Sequence, residues 1–304
     1  MTTDTEVAAR PRKARSVSGQ LDTALGLGAA RGPLGVLLKV ALFVLVVFIF
    51  AGPLLALLVS AFSPVTDPTR LTLIPHRFTL ANFTTAFDLG VLRYLVNSLI
   101  VVGGGLLLQI LVSISAAYAL ARKKFPGLRL VMLLILSTLM LPEEILAIPL
   151  SLVLADVPVV HVNLVGTLAG MIIPLGAWAF SILVMTEFMR EVPMELEEAA
   201  RLDGAGDLRI FWSVVLPLCR PALGVIGIFG FNMIWDQYIL PLLVAQDSSQ
   251  FTLSLALRSL RADEQVGTGV LIASALLALL PSVIAFLALQ RQFMRGLTSG
   301  AIKG

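Results

Sequence analysis

The sequence contains few charged residues, one cysteine and two histidines. Only 13% of its 304 residues are charged, whereas 58% are hydrophobic and the mean hydropathy is +0.94. A soluble domain has roughly 25% charged residues, so this composition excludes a water-soluble globule. The single cysteine, Cys219, excludes a disulfide framework and a cysteine-based metal cluster, and two histidines leave little for a metal site. The composition predicts an integral membrane protein.

Six apolar stretches are long enough to cross a bilayer. A helix that crosses the hydrocarbon core needs about 20 mostly apolar residues. The alternation of polar and apolar residues that is typical of a membrane β-barrel is absent. We therefore predict an all-α membrane protein with six transmembrane helices, at Val40–Phe62, Tyr94–Leu120, Leu130–Ala155, Val162–Met185, Ala222–Gln246 and Gly267–Gln290.

The positions of lysine and arginine predict the orientation. These residues are enriched on cytosolic flanks, and an even number of spans places both termini on one side. Of the 22 lysines and arginines, 17 fall on the side of the termini, and the other side has Arg70, Arg77, Arg93, Arg258 and Arg261. Both termini are therefore predicted to be cytosolic. The net charge of +3 is better explained by this topology than by nucleic-acid binding.

The N-terminal residues 1–33 are polar and have no hydrophobic pattern, so we expect a disordered cytosolic tail. The first apolar run is longer than the 7–15 residues or so of a signal-peptide core, and we do not expect cleavage. Residues 34–304 form the predicted transmembrane domain, with a core at about 92–291.

The connection at about 187–221 is unusually long, since helix connections in bundles usually have about 2–8 residues. Pro193 can begin a helix, and Gly204 can end it in a left-handed conformation. The helix dipole favours anions in the first turns, where this segment has Glu195, Glu197 and Glu198. The sequence predicts a short acidic helix that stops near Gly204.

A second short amphipathic helix is predicted to follow, with Ile210, Phe211, Val214 and Val215 as its apolar residues, and to end before Leu216. The two helices could lie on the lipid headgroups or dock to another protein. An anionic leaflet would repel the acidic first helix, and small residues on that helix would let a partner approach closely. These features favour docking.

The same segment resembles a known signature. Glu198-Ala199-Ala200 is followed by Gly204 after three residues, and then by Val214 and Leu216-Pro217. This arrangement resembles the EAA signature of binding-protein-dependent ABC importer permeases, with Val214 at the position of the usual isoleucine. Further segments resemble the MalG-like carbohydrate permeases of that class: Leu73-Ile74-Pro75, Phe78–Phe83, Asn97-Ser98, Phe125-Pro126-Gly127 and Arg295–Gly304.

The resemblance implies a type I ABC importer permease fold in a bacterial cell membrane. It implies a second permease subunit, an ATPase dimer that binds ATP and Mg, and an extracytoplasmic solute-binding protein that delivers a carbohydrate. In this family the EAA segment inserts into a cleft on the ATPase. The residues carried over to that coupling role are Glu198, Ala199, Ala200, Asp203, Gly204, Leu216 and Pro217.

The chain itself is not expected to be an enzyme or to hold a cofactor. It contains no G-x-x-x-x-G-K-[ST] loop that could cradle the phosphates of ATP. The string Gly204-Ala205-Gly206-Asp207 matches the GxGD of intramembrane aspartyl proteases, but it falls in a charged connection rather than in a span. ATP hydrolysis is therefore expected from a separate polypeptide.

Polar residues within the predicted spans are candidates for the substrate path, because such residues are costly at bilayer depth. Spacing of i, i+3 and i+4 places Asn232, Trp235 and Asp236 on one helix face, where an aromatic ring and hydrogen-bonding groups would suit a carbohydrate. Bonding across helices or to the partner permease is the alternative. The candidates are Asn232, Trp235, Asp236, Gln237, Tyr238, Glu143 and Glu144.

An ion-coupled secondary transporter of a small polar solute is the alternative function. Broken helices are common in such proteins, and Pro142 followed by Glu143-Glu144 could be interpreted in that way. However, the two halves show no clear repeat, and ion coupling would leave the acidic connection unexplained. The sequence favours the ATP-driven importer.

Overall fold

The computed structural model describes residues 33–64 and 77–301. The predicted tail, apart from its last residue, lies outside this part, as do Leu73-Ile74-Pro75 and the last three residues. Within the described ranges the chain is helical, and strand-like pairing is limited to one isolated bridge between Val157 and Val162. The predicted all-α fold class is confirmed.

Fourteen α-helices are described. They are α1 Pro33–Ala61, α2 Ala81–Asp88, α3 Val91–Arg122, α4 Leu128–Thr138, α5 Glu143–Ala155, α6 Leu168–Ile172, α7 Ala179–Glu191, α8 Met194–Leu202, α9 Asp207–Ile210, α10 Leu216–Leu218, α11 Arg220–Trp235, α12 Ile239–Val244, α13 Leu253–Ala262 and α14 Thr268–Ala301. Two short 3₁₀ helices, Ile173–Ala177 and Ser248–Gln250, and a π-helical turn, Phe211–Val215, complete the described helical structure.

Three helices are individually long and apolar enough to cross a membrane. They are the segments Gly35–Ala61, Val91–Arg122 and Thr268–Arg291, which match the first, second and sixth predicted spans. Three further pairs of helices reach that length only together, and each pair is bent. The described residues therefore offer three straight candidate spans, or six if each bent pair counts as one.

The third predicted span, Leu130–Ala155, is wrong as a straight helix. The chain bends by 106° between α4 and α5. The break ends at Pro142, whose ring disfavours helical conformation in the residue before it. Glu143 and Glu144 then occupy the first turn of α5, where the helix dipole stabilises negative charge.

The fourth and fifth predicted spans also need correction. Helix α6 starts at Leu168 rather than at Val162, and a 40° bend separates the segment Leu168–Ala177 from α7. Helix α11 ends at Trp235, so the predicted span Ala222–Gln246 is interrupted before α12 begins. Hydropathy detects the apolar length of a segment but not where its backbone hydrogen bonds stop.

Helix α3 is the central element of residues 58–301. It packs against α7, α11, α13 and the 3₁₀ turn Ile173–Ala177. One hydrophobic core surrounds buried Met171, Trp235 and Leu253. A second core, around Met185, Ile210 and Val215, lies between α3, α7 and the segment that follows α8.

Two asparagines fix the connections between helices. Asn82 Nδ2 donates hydrogen bonds to the carbonyls of Ala61 and Ser63, at 2.9 and 2.8 Å, and so satisfies orphan acceptors where α1 ends. Asn97 Nδ2 donates to the carbonyls of Ser249 and Phe251, at 2.8 and 3.0 Å. The connection between α12 and α13 is therefore anchored to α3.

Candidate functional site

A cavity of about 180 Å³ lies where three helix breaks meet. Glu143 follows the break before α5, Trp178 lies in the break before α7, and Gln237 lies in the break after α11. The rest of the lining is mainly apolar: Leu146, Ala147, Leu150, Pro174, Leu175, Ala177, Met233, Ile239, Leu240 and Leu243. Helix breaks leave backbone groups without helical partners, so this cavity can offer polar contacts as well as apolar walls.

Two of the predicted pathway residues meet at this cavity. Gln237 Nε2 donates a hydrogen bond to Glu143 Oε2 at 3.1 Å. The side-chain oxygen of Gln237 also accepts a hydrogen bond from the backbone N–H of Tyr238, at 3.1 Å, which fixes the orientation of the amide. A carboxylate and an oriented amide are thereby held together at the cavity wall.

The predicted group of Asn232, Trp235 and Asp236 does not form one polar lining. Trp235 is 7% exposed and stacks on Phe231, with ring centroids 5.5 Å apart. Asn232 and Asp236 are exposed, and Asn232 borders a separate small pocket beside Phe286. The ring of Trp235 therefore belongs to the first hydrophobic core and is not presented with the two polar side chains.

The other two candidate pathway residues lie at the edge of this region. The ring of Tyr238 is half-buried, and the guanidinium of Arg258 lies 4.2 Å from its centroid, which is a cation–π contact. Glu144 is exposed in the first turn of α5. Neither residue lines the cavity.

Trp178 is the aromatic residue that sequence reasoning missed. It lines the cavity, adopts an extended backbone between two helical segments, and packs against Phe180 with ring centroids 4.8 Å apart. Pro174 and Gly176 interrupt the fourth predicted span just before it. Interruption of an apolar segment by proline and glycine is a signal for a broken helix that borders a binding site.

The long connection forms the predicted helical hairpin, which we define as residues 193–218. Helix α8 is followed by Gly204 at φ +79°, and the Ala205 N–H donates to the Ala200 carbonyl at 2.9 Å. This is the hydrogen-bond pattern of a glycine-terminated helix, so the predicted left-handed stop is confirmed. Asp203 is the C-terminal cap of α8 and is exposed.

The end of the hairpin differs from the prediction. The second helix does not stop before Leu216, because α9 continues through the π-helical turn Phe211–Val215 into α10. Pro217 lies just after the π-helical turn, and because it has no backbone N–H it cannot donate the α-helical hydrogen bond that would close that turn. Leu216 and Pro217 are half-buried and so join the hairpin to the start of α11.

The hairpin has three exposed apolar side chains, Leu202, Leu208 and Trp212, which we call together the hairpin patch. These side chains are 90%, 76% and 55% exposed. Glu198 and Ala199 are exposed on α8 beside them, and Ala200 is half-buried. Residues on the opposite side, Ile210, Phe211 and Val215, are buried in the second core. The buried residues of the hairpin therefore fix the position of the hairpin patch.

Charged residues connect the hairpin to the end of α3. Lys123 Nζ lies 2.7 Å from Asp207 Oδ2, and Arg201 Nη2 lies 3.3 Å from the other oxygen of that carboxylate. The hydrogen bond to Asp207 raises the pKa of Lys123. The buried pair of Arg122 and Glu197 lies nearby, with 2.6 Å between Nε and Oε1.

Comparison with protein families identifies the class. Residues 109–298 match the family described as binding-protein-dependent transport system inner membrane component. Because the match covers more than half of the chain, the protein belongs to this family. It is a multi-pass membrane permease of the ABC importer class and not an enzyme, which favours the ATP-driven importer over the ion-coupled alternative.

Two similar curated proteins are permeases of sugar-transport systems. The chain is 34% identical to the arabinooligosaccharides transport system permease protein AraQ of Halalkalibacterium halodurans, over 86% of this chain and 94% of that protein. It is 32% identical to the melibiose/raffinose/stachyose import permease protein MelC of Bacillus subtilis, over 83% and 91%.

A solved structure has the same fold. A chain from a bacterial ABC transporter involved in the import of the acidic polysaccharide alginate matches with a TM-score of 0.75 and 21% identity. The match covers 92% of this chain and 99% of that one. The ABC importer permease fold is therefore confirmed.

Proposed function

We propose that this chain pairs with a second permease subunit to import a carbohydrate through a bacterial cell membrane. A solute-binding protein would deliver the cargo outside the cell, and two ATPase subunits would bind inside. We further propose six spans, formed by α1, α3, α4 with α5, Leu168–Ala177 with α7, α11 with α12, and α14. The hairpin then lies outside the membrane, and both termini are cytosolic. The excess of lysine and arginine on the hairpin side supports this orientation.

The hairpin is the proposed docking site for the ATPase. One observation carries this assignment: the hairpin exposes the apolar hairpin patch, while Ile210 and Val215 of the same hairpin are buried in the second core. Exposed apolar surface rimmed by polar residues is typical of protein interaction sites. Glu198 is exposed at the rim, where it can pair with a cation of the partner.

The cavity at the helix breaks is the proposed cargo contact within this subunit. Trp178 supplies an aromatic face, and the Glu143–Gln237 pair supplies groups that can hydrogen-bond to hydroxyls. A cavity of about 150 Å³ is known to hold one benzene ring, so 180 Å³ suits one sugar ring at a time. The sugar-transport relatives support the same class of cargo.

Affinity purification through a tag on this chain tests the proposed assembly. We expect an ATPase subunit, a second permease and a solute-binding protein to be recovered from cross-linked native membranes. Glu198→Lys should reduce ATPase recovery while the chain still inserts into the membrane, because it reverses the charge at the docking rim. Glu264→Lys, an exposed residue after α13, is the matched control.

Uptake measurements on the same cells test the class of cargo. Radiolabelled raffinose, an arabinooligosaccharide and diacetylchitobiose form a suitable panel, together with an amino acid and a metal ion as non-carbohydrate probes. ATP-dependent uptake of a carbohydrate is expected. A hairpin that never cross-links to a nucleotide-hydrolysing subunit, or uptake confined to the non-carbohydrate probes, would refute the assignment.

A further inference from the structure

Arg122, the last residue of α3, joins that helix to the hairpin through a buried contact. Its Nε lies 2.6 Å from Glu197 Oε1, and the two side chains are only 5% and 1% exposed. Its Nη2 also donates a hydrogen bond of 2.7 Å to the carbonyl of Val192, just before α8. Neither Nε nor Oε1 has a well-aligned hydrogen-bond partner, so the contact between them is ionic.

Adjacent glutamates on α8 occupy opposite environments. Glu198 is exposed at the rim of the hairpin patch, whereas Glu197 is buried against Arg122. A buried ion pair adds little net stability, because desolvation offsets most of the attraction, but removal of one partner leaves a costly unpaired charge. The pair therefore constrains where α8 can lie relative to α3 more than it stabilises the fold.

Helix α3 also contacts the wall of the helix-break cavity. Gly176, in the 3₁₀ turn that leads to Trp178, has no room for a Cβ because Leu108 of α3 packs directly on it. Ile172, which precedes that turn, packs against Gly104 of α3, where an added Cβ would come within 2.9 Å of its side chain. A movement of α3 is therefore transmitted to the segment that carries Ala177 and Trp178.

We propose that Arg122 and Glu197 are positioning residues that make α8 and α3 move as one body. Force applied to the hairpin then reaches the helix-break cavity through α3, instead of being lost in a hinge at the base of α8. The inference rests on the proposed function, since it requires an ATPase that acts on the hairpin. It assigns coupling to Glu197 as well as to the signature residue Glu198.

The test measures how readily a reagent in solution reaches the cavity, and it needs no cargo. Cys219→Ala combined with Ala177→Cys leaves this chain with one cysteine, on an exposed, cavity-lining residue. Labelling of this chain by a methanethiosulfonate reagent is followed by mass spectrometry in the purified assembly, with and without ATP and vanadate. ATP hydrolysis is measured on the same samples.

Glu197→Gln and Arg122→Gln should each reduce the ATP-induced change in labelling rate by about 2- to 30-fold, the range expected for residues that carry coupling. ATP hydrolysis should continue, because the hairpin patch is unchanged. The double variant Arg122→Gln/Glu197→Gln should show the same loss. It leaves no unpaired buried charge, so it also separates loss of coupling from failure to fold.

Glu187→Gln is the control. It removes an exposed ion pair with Arg190 within α7, and surface pairs contribute little. An ATP response in the double variant equal to that of the parent would overturn the inference while leaving the proposed function in place. If ATP does not change the labelling rate in the parent protein, the result would instead contradict the proposed function. The inference, which depends on that function, would then be overturned as well.

Discussion

Gln237 and Glu143 are 94 residues apart in sequence, and a hydrogen bond of 3.1 Å joins their side chains. Gln237 follows the end of α11, and Glu143 begins α5. The bond therefore ties two helix breaks together at the cavity. Trp178 lies in a third break and lines the same cavity. The wall of the cavity is therefore assembled from three separate segments.

The Glu143–Gln237 bond should show as an interaction energy between the two residues. Glu143→Ala and Gln237→Ala should each lower thermal stability in detergent, and the double variant should lose less than the sum, with a coupling energy of about 0.5–3 kcal/mol. Differential scanning fluorimetry of the four proteins gives their melting temperatures, and the non-additivity of the shifts reports the coupling. Strict additivity would show that the two side chains do not interact. Glu144→Ala, next to Glu143 but outside the cavity lining, is the control.

Trp178 should contribute its aromatic face to cargo binding. Trp178→Ala is expected to weaken uptake of the transported carbohydrate by about 2- to 10-fold, since aromatic contacts contribute about 0.5–1.5 kcal/mol beyond area burial. Trp178→Phe should retain most of the uptake because it keeps a ring at the wall. Initial rates over a concentration series separate a change in apparent affinity from a change in maximal rate. Equal uptake by the alanine and phenylalanine variants would show that an aromatic ring at position 178 does not contribute to cargo binding.

Gly204 should be required for its backbone conformation alone. Its φ is +79°, and an added Cβ would meet no atom within 4 Å, so Gly204→Ala should cost about 1–2 kcal/mol through left-handed strain. Reduced ATPase recovery and faster proteolysis of the hairpin are the expected signs. Gly206→Ala is a matched control, because Gly206 has φ −76° and equally open surroundings. Similar behaviour of the two variants would contradict the strain argument.

Leu202 should be important for docking and not for folding. Its side chain is 90% exposed, so Leu202→Glu removes apolar contact surface without opening a cavity in the core. We expect normal amounts of protein in the membrane and a clear loss of co-purified ATPase. Val160→Glu, a 62% exposed apolar position between α5 and α6, should leave ATPase recovery unchanged. Full recovery with Leu202→Glu would place the interface elsewhere.

Asp247 should hold the 3₁₀ turn Ser248–Gln250 at neutral pH. Hydrogen bonds from the Ser249 side chain and backbone lower the pKa of Asp247, and the backbone N–H lies 2.7 Å from the carboxylate. Because the folded pKa is depressed, the stabilisation is present above about pH 4 and is lost as the pH falls through the folded value.

Hydrogen exchange, expressed as protection factors, measures this effect at Ser249. Protection should be constant from neutral pH down to about pH 5 and should decrease at lower pH. Asp247→Ala should lower protection at every pH, whereas Asp247→Asn should retain much of it through its amide oxygen. A protection factor that is unchanged in Asp247→Ala would show that the hydrogen bonds of Asn97 and Gln250 are sufficient to hold this connection.

The hairpin could be predicted from sequence because its determinants are local. Pro193, the acidic first turn of α8 and Gly204 act within a few residues of one another, and the structure reproduces the helix and its left-handed stop. The π-helical turn at Phe211–Val215 was not predictable in the same way. It depends on how that segment packs into the core beneath the hairpin.

Sequence alone determined that this chain is a helical membrane protein with an acidic projection, because apolar length, low charge and turn residues act along the chain. Only the tertiary structure decided which polar groups meet. Trp235 is buried and Trp178 lines the cavity, since the helix breaks, rather than helical periodicity, set the direction of these side chains. Glu197, and not the adjacent Glu198, contacts the buried Arg122. That contact depends on where two helices that are distant in sequence pack together.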